Sequence, residues 1–276
     1  MKIFNKVVIF GTGLIGGSLG LALKRKQLAA QIIGFSKHKE NAIKALKIGA
    51  IDCIGSSLDV TRDADLIILA TPVDTITKIM FKISKKIKKD CLVIDVGSTK
   101  EEIVLKLSRL TSNFLGCHPL AGSEKKGITN AKADIFNNSV CIITPSGKTK
   151  NAVLGKIKLL WQKLGAKTVL MNPKEHDQIL AFTSHLPHFV AFSLMGAIPD
   201  KFLKLSSGGL KDVTRISGSS ELLWNQIFLS NRKNLLAAVS SFQVKLAALK
   251  LALSKKNAKL LTKILSTAKE KRERLG

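Results

Sequence analysis

Two regimes of hydrophobic and polar patterning divide this chain. Up to about residue 171, short apolar runs rich in β-branched residues recur: KVVIF at 6–10, QIIGF at 31–35, DLIILAT at 65–71, LVIDV at 92–96, and others at 139–145 and 167–171. Runs of this length, bounded by glycine, proline or polar turns, are what strands buried on both faces require. Helical spacing fills the gaps, as over 18–26 and 150–164. Strands separated by helices predict right-handed βαβ crossovers and a mostly parallel sheet. At Asn172-Pro173-Lys174-Glu175 the pattern changes. Asn suits an N-cap and Pro the first helical position. Helical periodicity then continues to a frayed, charged end. The stripes Leu222-Leu223-Trp224-Ile227-Phe228 and Leu235 to Leu249 are too apolar for one small isolated bundle. Burial in a homodimer interface accounts for them.

The first apolar run leads directly into Gly11-Thr12-Gly13-Leu14-Ile15-Gly16, and a helical pattern follows. G-x-G-x-x-G is a weak motif alone, but strand–glycines–helix gives it meaning. Gly11 permits a tight turn, Gly13 the approach of a pyrophosphate, and Gly16 close packing of helix on strand. The helix N-terminus offers free N–H groups to the anion. The expected fold is α/β: an N-terminal Rossmann-type doubly wound sheet over 1–172 and a C-terminal all-helical dimerisation domain over 173–276. Cofactor contacts are expected from the whole turn, Leu14 and Ile15 included, and from Thr71-Pro72 after the 65–71 run. Where an NAD enzyme places a carboxylate for the ribose hydroxyl, this chain has Ser36, then Lys37, His38 and Lys39. A hydroxyl beside cations accepts a 2′-phosphate, which favours NADP over NAD; the alternative is that these lysines only begin a solvated helix.

Composition narrows the picture. The 276 residues carry 45 Lys+Arg against 19 Asp+Glu, a formal charge of +26. The basic residues are mostly lysines spread along helices, aromatics are few and Tyr is absent, so a stacking platform for nucleic acid is poorly supplied. No nucleic-acid partner is expected. Cys53, Cys91, Cys117 and Cys141 form no CxxC pair, so they read as small buried hydrophobes of a reducing compartment, and no metal site is expected. No uninterrupted apolar run approaches the ~20 residues of a membrane span. The N-terminus enters a strand at once, leaving no room for a signal peptide, so a cytoplasmic location without membrane association is expected.

The segment FLGCHPLAGSEKKG, 114–127, carries the candidate chemistry. It reads as a strand that ends at its apolar start and presents His118, Ser123 and Glu124 on a glycine-shaped loop. A histidine there lies beyond the carboxyl end of a strand, where α/β enzymes keep their sites. Ser98 and Glu101 have capping-box spacing; Ser98 also lies where a hydroxyl can orient a base.

Four segments together resemble the prephenate and arogenate dehydrogenases of tyrosine biosynthesis: GTGLIGGSLGLAL, DVGSTK, GCHPLAGSEKKG, and AFTSHLPHFVAFSL with GGLKDVTRISGSSELLW. The resemblance spans nearly the whole chain. It implies NAD(P)-dependent oxidative decarboxylation of prephenate to 4-hydroxyphenylpyruvate, with His118 as catalytic base and Ser98 orienting it. It also implies Arg215 on the ring carboxylate, the alternative being an ion pair with Asp212 or Glu124. Ser184 and His188 fall near the pyruvyl side chain, although His185 and His188, three apart, also suit a helix core. Gly208 and Lys211 match a loop reaching the site from a partner subunit, and Trp224 either lies near substrate or anchors the core. Glu124 and His188 favour prephenate, whereas Ser36 is similar to the NADP-using, arogenate-using branch. A β-hydroxyacid dehydrogenase on the same plan, working through a lysine, is the more distant alternative.

Overall fold

The computed structural model describes residues 2–121 and 127–275. In chain order the α/β part comprises β1 (Phe4–Phe10), α1 (Leu14–Arg25), β2 (Ala29–Phe35), α2 (Lys39–Lys47), β3 (Cys53–Ile54), β4 (Leu66–Leu69) and α3 (Val73–Ile83). Then come β5 (Leu92–Asp95), α4 (Glu101–Leu107), β6 (Phe114–Leu120), β7 (Val140–Thr144), α5 (Asn151–Lys163) and β8 (Lys167–Leu170). The helical part comprises α6 (Pro173–Leu180), α7 (Leu186–Ala197), α8 (Gly208–Thr214), α9 (Glu221–Ser230), α10 (Arg232–Ser254) and α11 (Ala258–Glu273).

One sheet runs in the order β3-β2-β1-β4-β5-β6-β7-β8. Every neighbouring pair is parallel except β6 with β7. Alternation along β1 shows why both faces are covered. Val7 and Ile9 join one buried cluster with Leu19 and Leu23 of α1 and Ile157 and Trp161 of α5. Val8 and Phe10 join the other with Ile76 and Met80 of α3 and Ile103 of α4. The sheet is therefore wound on both sides, as its unbroken apolar strands predict. Strand order reverses between β1 and β4, and the crevice at such a reversal is where open α/β sheets hold ligands.

Two expectations need correction. His118 does not sit on a loop: β6 continues through Leu120, with His118 opposite Ile142 and Pro119 opposite Cys141 of antiparallel β7. The edge supplied by β7 extends the strand past the point where its apolar run stops. Nor is length a bar to membrane-type helices. The continuous helical stretch Pro173–Ala197 and α10 have mean hydropathies of 1.3 and 1.5 over membrane-span lengths. The first carries His176, Asp177 and His185, all nearly inaccessible, so its polar residues belong to a folded interior.

By compactness the chain divides into Met1–Asn231 and Arg232–Gly276. The first unit holds the sheet and α6–α9. The second is the α10–α11 hairpin, which exposes Phe242, Leu246 and Leu253. Of the cysteines, Cys91, Cys117 and Cys141 are buried and all four are free thiols. Among the described residues no group of His, Cys, Asp and Glu has a metal-holding arrangement.

Candidate active site

A cavity of about 880 Å³ opens at the carboxyl ends of β1, β4, β5 and β6 and is covered by residues of the helical stretch up to Ile227. That volume suits a small molecule beside part of a cofactor. Its floor contains Gly13, Leu14, Ile15, Thr71 and Pro72; its wall contains Ser98 and His118; and Ser184, His188, Arg215 and Trp224 face them. Two groups of predicted residues, over 200 positions apart at the extremes, thus meet around one space.

The glycine turn is built for a ligand. Gly11 has φ +97°, and a Cβ there would lie 2.4 Å from the Ala70 carbonyl oxygen. A Cβ on Gly16 would lie 1.9 Å from the Gly11 carbonyl oxygen, so helix α1 could not seat on the turn. Gly13, by contrast, has nothing within 4 Å of that position. Tightness on both sides and an opening between them form a cradle that a pyrophosphate fits at the start of α1. Thr71 Oγ1 is buried in this floor without a hydrogen-bond partner, a group left for a ligand to satisfy. Ser36 directly follows β2, and the Gly11 N–H donates to the carbonyl of Phe35, the last residue of that strand, at 2.8 Å. Lys37 is exposed, while Lys39 is the first residue of α2.

His118 is half-buried and lines the cavity. Its Nδ1 lies 2.9 Å from His176 Nε2, and His176 Nδ1 lies 2.7 Å from Asp177 Oδ1. The carboxylate accepts two backbone N–H groups as well, Lys100 N at 2.8 Å on Oδ1 and Glu101 N at 2.9 Å on Oδ2. Close by, Lys100 forms a wholly buried ion pair with Asp95 and donates to the Thr99 carbonyl at 2.9 Å. Burial, reinforced by His176, Lys100 and His185, holds the His118 pKa well below its ordinary value. His118 is therefore neutral near pH 7, the form a proton acceptor needs.

The capping box is not formed. Lys100 is the N-cap of α4, and its free amides are capped by Asp177 from 77 residues away. Ser98 lines the cavity half-buried, but the partner of His118 Nδ1 is His176. The two histidines of SHLPH separate in role. His185 ends a π turn, Ala181–His185, is 1% exposed, and receives a hydrogen bond from Asn231 Nδ2 at 3.0 Å. Burial pushes its pKa down to about 4. His188 stacks on Trp224 with ring centroids 3.6 Å apart and donates from Nδ1 to the Ser184 carbonyl at 3.0 Å. Trp224 is both wall and anchor: it lines the cavity yet is 8% exposed.

Gly208 and Lys211 lie on helix α8, not a loop, and are exposed outside this chain's cavity. Ser123 and Glu124 lie outside the described residues. Sequence reasoning missed His176 and Asp177. Their signal was faint: an acid beside a histidine in the opening of an amphipathic helix, where both are expected to face solvent.

A family model described as "Prephenate dehydrogenase, nucleotide-binding domain" matches residues 19–170, and one described as "Prephenate dehydrogenase, dimerization domain" matches 172–267. The glycine turn precedes the matched range, so its role rests on geometry. The prephenate dehydrogenase of Bacillus subtilis is 33% identical, over 98% of this chain and 76% of its own length. The crystal structure of prephenate dehydrogenase from Aquifex aeolicus with hydroxyphenyl propionate and NAD+ superposes with a TM-score of 0.92 at 32% identity, covering 99% of this chain and 98% of that one. The arogenate dehydrogenase of Synechocystis superposes with a TM-score of 0.84 at 29% identity, covering 98% and 100%.

Proposed function

We propose, for a chain that belongs to the prephenate dehydrogenase family, the oxidative decarboxylation of prephenate to 4-hydroxyphenylpyruvate in tyrosine synthesis. The observation that carries it is a neutral His118 on the wall of a cavity whose floor is a dinucleotide cradle and whose far side bears Arg215. A bound nicotinamide dinucleotide supplies the hydride acceptor. The residues of this chain supply the rest. His118 takes the proton of the C4 hydroxyl as hydride leaves C4 and the carbonyl forms. The bond from C1 to its carboxylate then breaks, CO₂ departs, and the bond's electron pair restores an aromatic ring. The proton held by His118 returns to the phenolic oxygen, so no net proton is released. Arg215 grips a carboxylate of the dianionic substrate, while His188, Ser184 and Trp224 define the opposite end of its space. Ser98, beside His118 on the wall, is placed to contact the hydroxyl or the nicotinamide.

Ser36 and Lys37, in place of a carboxylate, support NADP⁺ over NAD⁺, although the Aquifex relative's structure holds NAD+. The dimerization description of 172–267, together with the exposed apolar face of α10, supports a homodimer. In that assembly Gly208 and Lys211 are available to a partner's site. Arogenate is the second reading, supported by the similarity to the Synechocystis enzyme. The test is a four-way initial-rate assay of prephenate or arogenate with NAD⁺ or NADP⁺, following the reduced cofactor. Prephenate turnover with equimolar CO₂ is expected; turnover of arogenate alone would establish the second reading.

A further inference from the structure

We propose that His176 and Asp177 are positioning residues of this reaction: the line Asp177–His176–His118 holds His118 with its proton on Nδ1 and its Nε2 bare. The proposal rests on the reading of His118 as the base. It starts from hydrogen-bond direction. Asp177 accepts a backbone amide on each oxygen, Lys100 N on Oδ1 and Glu101 N on Oδ2, so both oxygens are engaged as acceptors. His176 Nδ1, 2.7 Å from Oδ1, must then carry the proton. A neutral His176 has its lone pair on Nε2, and that atom faces His118 Nδ1 at 2.9 Å. His118 Nδ1 must be the donor of this contact. Its second nitrogen is left with a lone pair on a ring that lines the cavity.

The arrangement does what the acid does in a hydrolase triad, with one more ring in the line: it selects a tautomer and steadies the imidazolium formed during turnover. It differs from an ordinary core network in two respects. His176 is wholly buried and Asp177 is 2% exposed, while the only cavity-facing member is His118. The same carboxylate also fixes the first turn of α4, which follows Ser98. Base and hydroxyl are therefore placed by one group. The charged and titratable groups facing His118 are His176 and Asp177 on α6, Lys100 at the start of α4 with Asp95 on β5, and His185 on the π turn. His188 and Arg215 lie across the cavity.

The test combines a tautomer measurement with kinetics. The chain has five histidines, so ¹⁵N-histidine labelling of the full protein gives a spectrum assignable by single variants. Long-range proton–nitrogen correlation at pH 7.5, without substrate, should show His118 protonated on Nδ1. Protonation on Nε2 overturns the proposal whatever the enzyme's activity. In the kinetic arm, His176→Phe removes the acceptor and is expected to lower kcat about 100-fold, within the range general-base contributions span. Cofactor Kd should stay within about 3-fold. His176→Gln, which keeps an acceptor near the Nε2 position, should recover at least about 10-fold of the loss. Equal activity of wild type and His176→Phe, or a glutamine variant no better than phenylalanine, would overturn the positioning role. His118→Asn, run alongside, separates the two ideas. If it retains the wild-type rate, the base assignment fails; if it loses activity while His176→Phe keeps the wild-type rate, only the positioning role fails.

Discussion

At the scale of single residues, the site depends on a few atoms with no room to move. A methyl group on Gly16 would meet a backbone oxygen at 1.9 Å, and backbone cannot yield as a side chain does. Gly16→Ala should therefore weaken dinucleotide binding at least 10-fold, measurable by fluorescence titration of reduced cofactor. Gly13→Ala is a contrasting case. Its Cβ meets no protein atom, so the fold should tolerate it, and any loss of cofactor affinity reports the ligand's own approach. Arg215→Ala should raise the KM for prephenate at least 10-fold with a smaller effect on kcat, because a carboxylate grip is made in ground and transition states alike. An unchanged KM would make Arg215 structural.

At the scale of elements, α4 shows how a distant residue completes a local structure. Its N-terminal amides lack a local side-chain cap and are met by Asp177 of α6. Hydrogen bonds from amides to a buried carboxylate are worth about 1.5–3 kcal/mol each. Asp177→Ala should thus cost about 3 kcal/mol or more in a denaturant titration, beyond any effect on rate. The same element marks where the sequence was legible and where it was not. Strand runs, the glycine turn and the change at Asn172 are local patterns with a period, and each appears where the pattern put it. The Ser98–Glu101 spacing was equally local, but a carboxylate 76 residues beyond Glu101 competes better for the amides. His118 and its segment were readable. The His176–Asp177 line was not, because hydrogen bonding between elements leaves no periodic trace. Likewise β3, two residues long, and the extension of β6 by antiparallel β7 depend on neighbours rather than on their own composition.

At the scale of the whole molecule, buried histidines tie stability to pH. The pKa values of His118, His176 and His185 are all lowered in the folded chain, first by burial. The unfolded chain then binds protons that the folded chain refuses, so stability is full above the ordinary histidine pKa of about 6.5 and falls as pH drops below it. His185 alone, pushed down to about 4, contributes on the order of 3 kcal/mol that is lost between these values. Thermal unfolding should move to lower temperature from pH 7 to pH 4, and His185→Gln should flatten that slope. Assembly has its own signature. Phe242, Leu246, Leu249 and Leu253 fall on one face of α10, and three of the four are exposed. Leu246→Lys should convert a dimer to monomer in light scattering if that face is the interface; an unchanged mass would place the interface elsewhere.

The central claim is that His118 is the base of a dehydrogenase, and one comparison tests it most directly: kcat with prephenate and a saturating nicotinamide cofactor for the wild-type protein and for His118→Asn. The account predicts turnover by the wild type and a loss of about 10²- to 10⁴-fold in the variant, with cofactor affinity retained. A variant that turns over prephenate at the wild-type rate would contradict it.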